Sequence, residues 1–512
     1  MNRLGVVIRQ PMFLAALASA WLCLSLPVVA QEAYYWSYAQ HPALSYFDHP
    51  PMVAWLIWLG TQLFGDGAAG IRFGTWLCGV ATSAIGVALL REFGVDRAGR
   101  NLWLLLGIAV PAMVATRWLA NPDPPLVAAW MATVYALWRA RAGSLGAWLI
   151  AGVAAGITLL SKYTAAFLAV GGVLVLVFDP MMRRQLLRPG PWLAVLVAAV
   201  VFLPVIVWNV QHDFASFKFQ TEGRLAKAHF GLHWFVQMAG IQFGMINPAV
   251  AVALPFLVAW SVRRALAHDL RLLWLMAFGL PLPLYLAFNS FWIQVKANWF
   301  TPAYAILLVA AVVWWQEHAK ERVGPRLRRA ATVALVGVVA LLPLAPAIRL
   351  IRPGAGTSWI GWQEIAAAAE TWEDRTDLAQ PPDNDVFFFA ANYRDAAQLA
   401  HSLALHWREH PHADPQAAGQ PVLAQNVLGD PALQFDQWTD ARAQIGRDAI
   451  FVLPRPEQRE IVLERVRQHF RSIERVEDVE VRRLGCQVMT AHIYVCRGYL
   501  GPKVAAVSPG GR

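Results

Sequence analysis

The chain alternates long apolar runs with short polar breaks, and eleven of the runs approach the roughly 17–25 residues that a helix needs to cross hydrocarbon. They fall near residues 10–30, 68–90, 101–118, 124–140, 145–161, 163–179, 191–209, 246–262, 271–288, 299–316 and 330–350. The pattern predicts a polytopic α-helical membrane protein with about eleven spans. The first run follows Arg3 and Arg9 and precedes "VVAQ", the outline of a signal peptide. The many spans behind it favour an uncleaved anchor. Between the first two spans, "PPMVAWLIWLGTQLFG" predicts a helix lying in the membrane interface, started by Pro50 and Pro51, and residues 232–246 predict another.

From about residue 352 the apolar runs shorten and charge rises. "DVFFFAANY", "DAIFVLP" and "AHIYVCRGYL" predict strands, and "RDAAQLAHSLALHWREH" and "PEQREIVLERVRQHFRSI" predict helices. The organisation expected is a membrane domain over 1–351, with a first outer loop at 31–66, followed by a small α/β domain over 352–512.

Composition agrees with the pattern: 57% of residues are hydrophobic, 15% are charged, and mean hydropathy is +0.42. The net charge of +10 raises nucleic acid as a partner, but the basic residues arrive in short clusters between apolar runs, which is how topology signals look. Nucleic-acid binding is therefore not expected. With the N-terminus in the cytoplasm, Arg91/Arg97/Arg100, Arg139/Arg141, Arg183/Arg184/Arg188, Arg263/Arg264/Arg271 and Lys320 through Arg329 all fall inside. Residues 31–66 and everything after 351 then lie outside, in the periplasm of a bacterial inner membrane.

The outer side is where chemistry concentrates. "QEAYYWSYAQHPALSYFDHPPMVAW" holds Glu32 and Asp48 without a single Lys or Arg. Acids beside lipid are costly unless solvated or paired, so their cations must come from other loops. "TRWLANPDPPL" supplies Arg117, Asn121 and Asp123; "LLSKYTA" supplies Lys162; "WNVQHDFASFKFQ" supplies Asn209, His212, Asp213 and Lys218; "IQVKANWFTPAY" supplies Lys296, Asn298 and Trp299. Acids facing cations at a membrane surface suit displacement of a lipid phosphate from a sugar: a carboxylate accepts the proton of the attacking group and cations hold the departing phosphate. Lys162, Lys218, Lys296, Arg117 and Arg224 are the phosphate candidates. Tyr34, Tyr35 and Trp299 could offer faces to a sugar or an isoprenoid chain. Ordinary structural readings stand beside these: interface-belt aromatics, a snorkelling Lys162, a helix-capping Asp123, a solvated His212–Asp213 pair, and capping or solvated Glu32 and Asp48.

The motifs "EAYYWSYAQHPALSYFDHPPMVAWLIWLGTQLFGD", "NPDPPL", "LLSKYTA", "PVIVWNVQHDFASFKFQ" and "KANWFTPAY" together resemble the GT-C glycosyltransferases related to protein O-mannosyltransferases and to the aminoarabinose transferase of lipid A. The resemblance covers about residues 10–350, with "YRDAAQLA" and "LQFDQW" as its pieces in the C-terminal domain. It implies an inverting transferase that takes a sugar from a polyprenyl-phosphate donor and delivers it to a lipid, glycan or protein acceptor. The family commonly reads Asp-Glu where this chain has Gln31-Glu32, which leaves Glu32 as the acid there and the expected base. The second family acid matches Asp48, which in relatives helps to bind metal or donor phosphate, and the position that is basic in aminoarabinose enzymes is His49. Tyr34, Tyr35, His49, Asp123, Tyr163, Asn209, Asn298 and Trp299 are the candidate substrate contacts. A divalent cation (magnesium, manganese or zinc) on Asp48 and His212 is an open alternative, and no nucleotide cofactor is expected. Two rival readings are a flippase for a lipid-linked sugar and a non-catalytic subunit that recruits a partner. Cys486 and Cys496, ten residues apart on what reads as neighbouring strands, could be bridged or could be free thiols.

Overall fold

The computed structural model describes residues 11–223, 228–318, 359–378, 385–411, 422–454 and 459–502. It divides into two compact units, one drawn from Met1–Leu24, Ala43–Leu63 and Arg72–Leu344, the other from Ser25–Pro42, Phe64–Ile71 and Ala345–Arg512. The expected boundary near 351 is thus crossed by two short pieces of the first outer loop, which associate with the C-terminal domain.

The first unit is helical. Among the described residues, five helices are long and apolar enough to cross a membrane: Ala68–Glu92, Pro189–Gln211, Pro248–Leu266, Leu270–Asn289 and Ala297–His318. A sixth follows if Met12–Ser25 and Ala30–Gln40 together count as one broken span. This is fewer than the eleven expected. Leu145–Ser161 and Tyr163–Phe178 are apolar but shorter. The run at 101–118 is divided into Arg97–Ala109 and Pro111–Ala115, because Pro111 has no N–H to continue the first helix and instead starts the second. The run at 330–350 lies outside the described residues. Both expected interfacial segments are helices, Met52–Phe64 and Leu232–Met245, and the first leaves Trp58, Leu59, Leu63 and Phe64 exposed.

Small residues set the helix spacing that positions the site. Leu145–Ser161 packs against Pro189–Gln211 through Gly152 and Gly156. A Cβ on Gly152 would sit 2.6 Å from the Ala194 carbonyl oxygen, and one on Gly156 would sit 2.5 Å from Val201 Cβ. Close backbone approach of this kind is how membrane helices gain contact without a hydrophobic driving force. Buried Trp103, Trp130, Trp274 and Phe278 fill the centre of the unit.

The second unit carries a four-stranded sheet in the order β1 (Phe387–Ala390), β2 (Ala449–Leu453), β4 (Cys486–Tyr499), β3 (Phe470–Arg483). β1 and β2 are parallel, with Phe387 opposite Ala449, and the other pairs are antiparallel. Phe387, Phe389, Phe451, Phe470 and Tyr499 form its core. The helix expected from "PEQREIVLERVRQHFRSI" is described only over Arg459–Arg467, and its tail begins β3. β3 escapes a hydrophobic-periodicity search because it is an edge strand whose outward positions carry Glu474, Arg475, Glu477, Asp478 and Arg482.

Both C-terminal pieces of the family resemblance meet the opening motif within this unit. Tyr393 and Phe435 lie against the Tyr34 ring, with centroids 4.9 and 6.1 Å away, and the Gln434 amide donates to the Tyr34 hydroxyl at 3.4 Å. Gln398 donates to the Val28 carbonyl at 3.0 Å, and Trp36 donates to Asp66 at 2.7 Å.

The disulfide alternative is excluded. Cys486 and Cys496 are free and belong to the same strand, β4, with Cys486 exposed and Cys496 buried. Ten residues of strand span about 33 Å, whereas a bridge needs Cα atoms within about 7 Å.

Candidate active site

Asp123 is the first residue of the helix Asp123–Ala140, and Pro124 and Pro125 occupy the turn in which their missing N–H groups cost nothing. Its own amide donates to Asn121 Oδ1 at 2.9 Å, so the "NPDPP" motif fixes the helix start locally. A carboxylate at this end is favoured by the helix dipole. The Leu145–Ser161 helix runs back beside it and stops at Lys162, whose backbone is extended (φ −164°, ψ 145°) before the 3₁₀ turn Tyr163–Ala166. That break aims the lysine at the acid. Lys162 Nζ donates to Asp123 Oδ1 at 2.7 Å, and Asn298 Nδ2 donates to Asp123 Oδ2. Three separated motifs therefore share one buried carboxylate, with the Lys162 and Asp123 side chains only 8% and 3% exposed.

A second polar group begins at the next residue. The Tyr163 hydroxyl is hydrogen-bonded to Ser216 Oγ; Asn209 and Ser45 also face it, and Asp48 is near enough to act on it electrostatically. Ser216 reaches this place through an unusual turn. After the Pro189–Gln211 helix, Asp213 and Phe214 both take left-handed φ (52° and 58°), and the Phe214 amide returns to the Asn209 carbonyl at 2.7 Å. Positive φ at a bulky Phe is strained and tends to be kept where function uses it. Asn209 itself accepts the Phe217 amide at 3.3 Å and donates to the Val205 carbonyl at 2.9 Å.

The Asp48 loop is tied down on both sides. The Ala43 amide donates to the Tyr46 hydroxyl at 3.2 Å, and Trp55 Nε1 donates to the Ala43 carbonyl at 3.1 Å. Gln220 Nε2 donates to the Asp48 carbonyl at 2.7 Å, and the Phe47 and Phe219 rings are 4.9 Å apart. Asp48 is buried, and His49 beside it is half-buried. Gln220 lies in a π-helical turn, Phe219–Gly223, a local form frequent at functional sites. Sequence reasoning passed over Ser45, Ser216 and Gln220; a polar residue flanked by aromatics in "FASFKFQ" was the available signal.

The remaining expected residues fall in three groups. Lys218 and Lys296 are exposed, two residues along the chain from Ser216 and Asn298 respectively. Trp299 is half-buried against the helical core. Arg117 is turned inward: its Nε donates to the Gly107 carbonyl at 2.9 Å, and its Nη2 would be only 2.2 Å from a Cβ on Gly107. A guanidinium in that position fills a gap between helices rather than meeting a phosphate. Arg224 lies outside the described residues. Glu32, Tyr34 and Tyr35 belong to the other unit. Glu32 is fully enclosed at the third position of the Ala30–Gln40 helix, where its Oε2 accepts the Val29 amide at 3.0 Å. Tyr34 and Tyr35 are buried, and the faces meant for sugar are covered by one another and by Tyr38.

His212 is stacked on Trp208 with ring centroids 4.0 Å apart, and its Nδ1 lies 2.8 Å from the Trp208 carbonyl. Among the described residues no three His, Cys, Asp or Glu side chains converge as a ligand set.

Comparison with known proteins bears on this geometry directly. The family described as dolichyl-phosphate-mannose-protein mannosyltransferase matches residues 48–208, a stretch that contains Asp48, Asp123, Lys162 and Tyr163. The fold matches ArnT from Cupriavidus metallidurans bound to undecaprenyl phosphate, with a TM-score of 0.59 over 100% of both chains at 16% identity. The fold is that of the GT-C glycosyltransferases. The apo form of the same ArnT matches equally, covering 96% of this chain and 98% of its own. The lipid A galacturonosyltransferase RgtD of Rhizobium johnstonii is 28% identical over 374 residues, 69% of this chain and 75% of its own. The undecaprenyl phosphate-alpha-4-amino-4-deoxy-L-arabinose arabinosyl transferase of Pseudomonas savastanoi pv. phaseolicola is 31% identical over 179 residues, 33% of this chain and 32% of its own. Lys162 of the first polar group and Tyr163 of the second are consecutive residues.

Proposed function

We propose that the chain is a membrane glycosyltransferase that uses a polyprenyl-phosphate sugar donor, with Asp48 as the acid that receives the proton of the acceptor. The observation that carries this reading is the meeting of Asp123, Lys162 and Asn298, one residue along the chain from the Tyr163 hydroxyl that Asp48 acts upon. The acceptor oxygen bonds to the anomeric carbon from the face opposite the phosphate, which inverts that centre. The bond to the phosphate oxygen breaks with its electron pair, and the acceptor proton passes to the Asp48 carboxylate. The exposed lysines Lys218 and Lys296 neutralise the departing phosphate. Asp123 holds Lys162 in place at the floor of the site. No step is routed through a metal ion.

The basic loops favour an arrangement in which the arginine-bearing ends of the helices face the cytoplasm and the Asp48 site faces the periplasm, with the C-terminal domain there too. The likeness to RgtD makes lipid A the first acceptor to try and a galacturonosyl group the first sugar. The decisive experiment supplies the purified chain, in lipid nanodiscs, with undecaprenyl-phosphate sugars and lipid A, and follows sugar-bearing product by mass spectrometry. Product made by the wild type and absent with Asp48→Asn supports the reading. Binding of donor without product, or undiminished product from Asp48→Asn, removes it.

A further inference from the structure

The Asp123–Ala140 and Leu145–Ser161 helices form a hairpin, and at the end of it far from Asp123 and Lys162 a cavity of about 680 Å³ opens. Its walls include Glu92, Tyr135, Trp138, Arg139, Arg141 and Met181. At 1.5 Å per residue, Asp123 and Arg139 are about 24 Å apart, so this cavity is separate from the site above. Its size lies within the roughly 300–1,000 Å³ usual for small-ligand pockets.

The arginine at the back of this cavity is built into place. Arg141 Nε donates to Asp179 Oδ2 at 2.6 Å, and the guanidinium carbon lies 5.1 Å from the Trp138 ring centroid. Asp179, fully buried, also accepts Trp274 Nε1 at 3.0 Å and the Met181 amide at 2.9 Å. A guanidinium carries five N–H donors in a fixed fork. Only the Nε donor of Arg141 is used among the described residues, so its two terminal nitrogens have no protein partner. Arg139 stands nearer the mouth, its side chain 57% exposed. It reaches the Tyr135 hydroxyl at 3.3 Å and Glu92 Oε1 only at 3.8 Å. Glu92, 38% exposed, is thus loosely held. Ile150 lines the same opening, and Leu145 and Leu149 are exposed on the same helix, so apolar surface of the membrane unit flanks the mouth.

We propose that this cavity binds the headgroup of a zwitterionic phospholipid, with the phosphate on the terminal nitrogens of Arg141 and on Arg139 and the ammonium on Glu92. Basic pockets between membrane helices bind the phosphates of anionic lipid headgroups, and the guanidinium fork matches two oxygens of any headgroup phosphate. The sign of the headgroup follows from the lining. Asp179 offsets Arg141 from behind, and Glu92 stands opposite Arg139, so the cavity wall is close to neutral and presents both charges. A purely anionic headgroup would bring its charge up against Glu92, whereas an ethanolamine ammonium uses it.

The test exchanges the purified full-length chain into mixed vesicles of phosphatidylethanolamine and phosphatidylglycerol and counts retained lipid by native mass spectrometry. Wild type should retain phosphatidylethanolamine about threefold to fivefold over phosphatidylglycerol, the size of one partly exposed ion pair. Glu92→Gln should bring that ratio to about one with total lipid unchanged, and Arg139→Gln should lower retention of both lipids about threefold. Arg141 is left alone because its loss would strand buried Asp179. Matching unfolding midpoints for the two variants establish that both are folded. Equal retention of the two lipids by wild type, preference for phosphatidylglycerol, displacement of lipid by inorganic phosphate, or an unchanged ratio in Glu92→Gln would each overturn the proposal.

Discussion

Lys162 Nζ and Asp123 Oδ1 are 2.7 Å apart in a setting where both side chains are almost wholly removed from solvent. An ion pair so enclosed is weakly informative about net stability, but breaking it by removing one member leaves a buried, uncompensated charge. Lys162→Met or Asp123→Leu should each lower stability by about 3–5 kcal/mol, read from thermal unfolding in detergent. The double variant should recover most of that loss without recovering sugar transfer. Recovery of both would show that the pair only holds helices together.

Asp48 and Glu32 separate by placement. Asp48→Asn should reduce transfer by roughly 10²–10⁴-fold while insertion and unfolding midpoint stay near wild type. Glu32→Gln should act on the helix end it caps, costing about 1 kcal/mol and leaving turnover per folded molecule unchanged. The opposite result, turnover lost in Glu32→Gln at unaltered stability, would return the proton-accepting role to Glu32.

The exposed lysines should show themselves in substrate affinity. Lys218→Ala and Lys296→Ala should each raise the KM for donor several-fold with little change in kcat. The effect should shrink as ionic strength rises, because solvated charges are screened over about 10 Å at 0.1 M salt. Steady-state kinetics at two salt concentrations would check this; a KM indifferent to both substitutions would exclude the lysines from donor binding.

An acid-labile contact lies in the four-stranded sheet. The Arg475 guanidinium, and after it the His492 ring, hold the Asp478 carboxyl down at about 2 from an ordinary value of 3.8. The Arg475 contact lies within β3, and the His492 contact joins β3 to β4. A depressed carboxyl contributes its stability in full above its unfolded value and loses it as pH falls through the folded one. The contribution should therefore fade between about pH 4 and pH 2. Asp478→Asn should be less stable than wild type near neutral pH, and the difference should close across that window, as followed by unfolding midpoints. A difference that does not vary with pH would refute the assignment.

The cysteines give a direct check on the strand register. Burial, with Asp448 adding to it, pushes the Cys496 thiol well above its ordinary value, whereas Cys486 is exposed. Maleimide should label Cys486 in the folded protein and Cys496 only after unfolding. A disulfide between them, seen as a mass two units lower before reduction, would contradict β4.

Much of the architecture follows from local pattern. Length and aromatic content place Met52–Phe64 and Leu232–Met245, helical period places Tyr393–Glu409, and unbroken apolar runs mark β1 and β2, every residue of which is buried. Composition likewise dictates a membrane protein, since apolar runs this long have no other solvent. The break at Pro111 and the charged strand β3 are less visible: the first turns on one missing N–H, and the second has only one face covered. The motifs also carry Asp48, Asp123, Lys162, Tyr163, Asn209 and Asn298, the polar residues of the two groups described above.

Which of those participants meet was settled only by the tertiary structure. Asp123 lies 39 residues from Lys162 and 175 from Asn298, and no local pattern encodes a contact at that range. Arg117 and Lys162 look alike as cations at the ends of apolar runs, yet packing turns Arg117 onto the Gly107 carbonyl and Lys162 onto Asp123. Glu32 and Asp48 share one outer loop, but the chain divides between them: residues 25–42 fold with the C-terminal domain and Asp48 with the helices. Hydrophobic period and charge are properties of neighbouring residues and survive in the sequence. The direction a polar side chain takes depends on which backbone carbonyls and carboxylates the folded helices leave unsatisfied, and that is decided only when they pack.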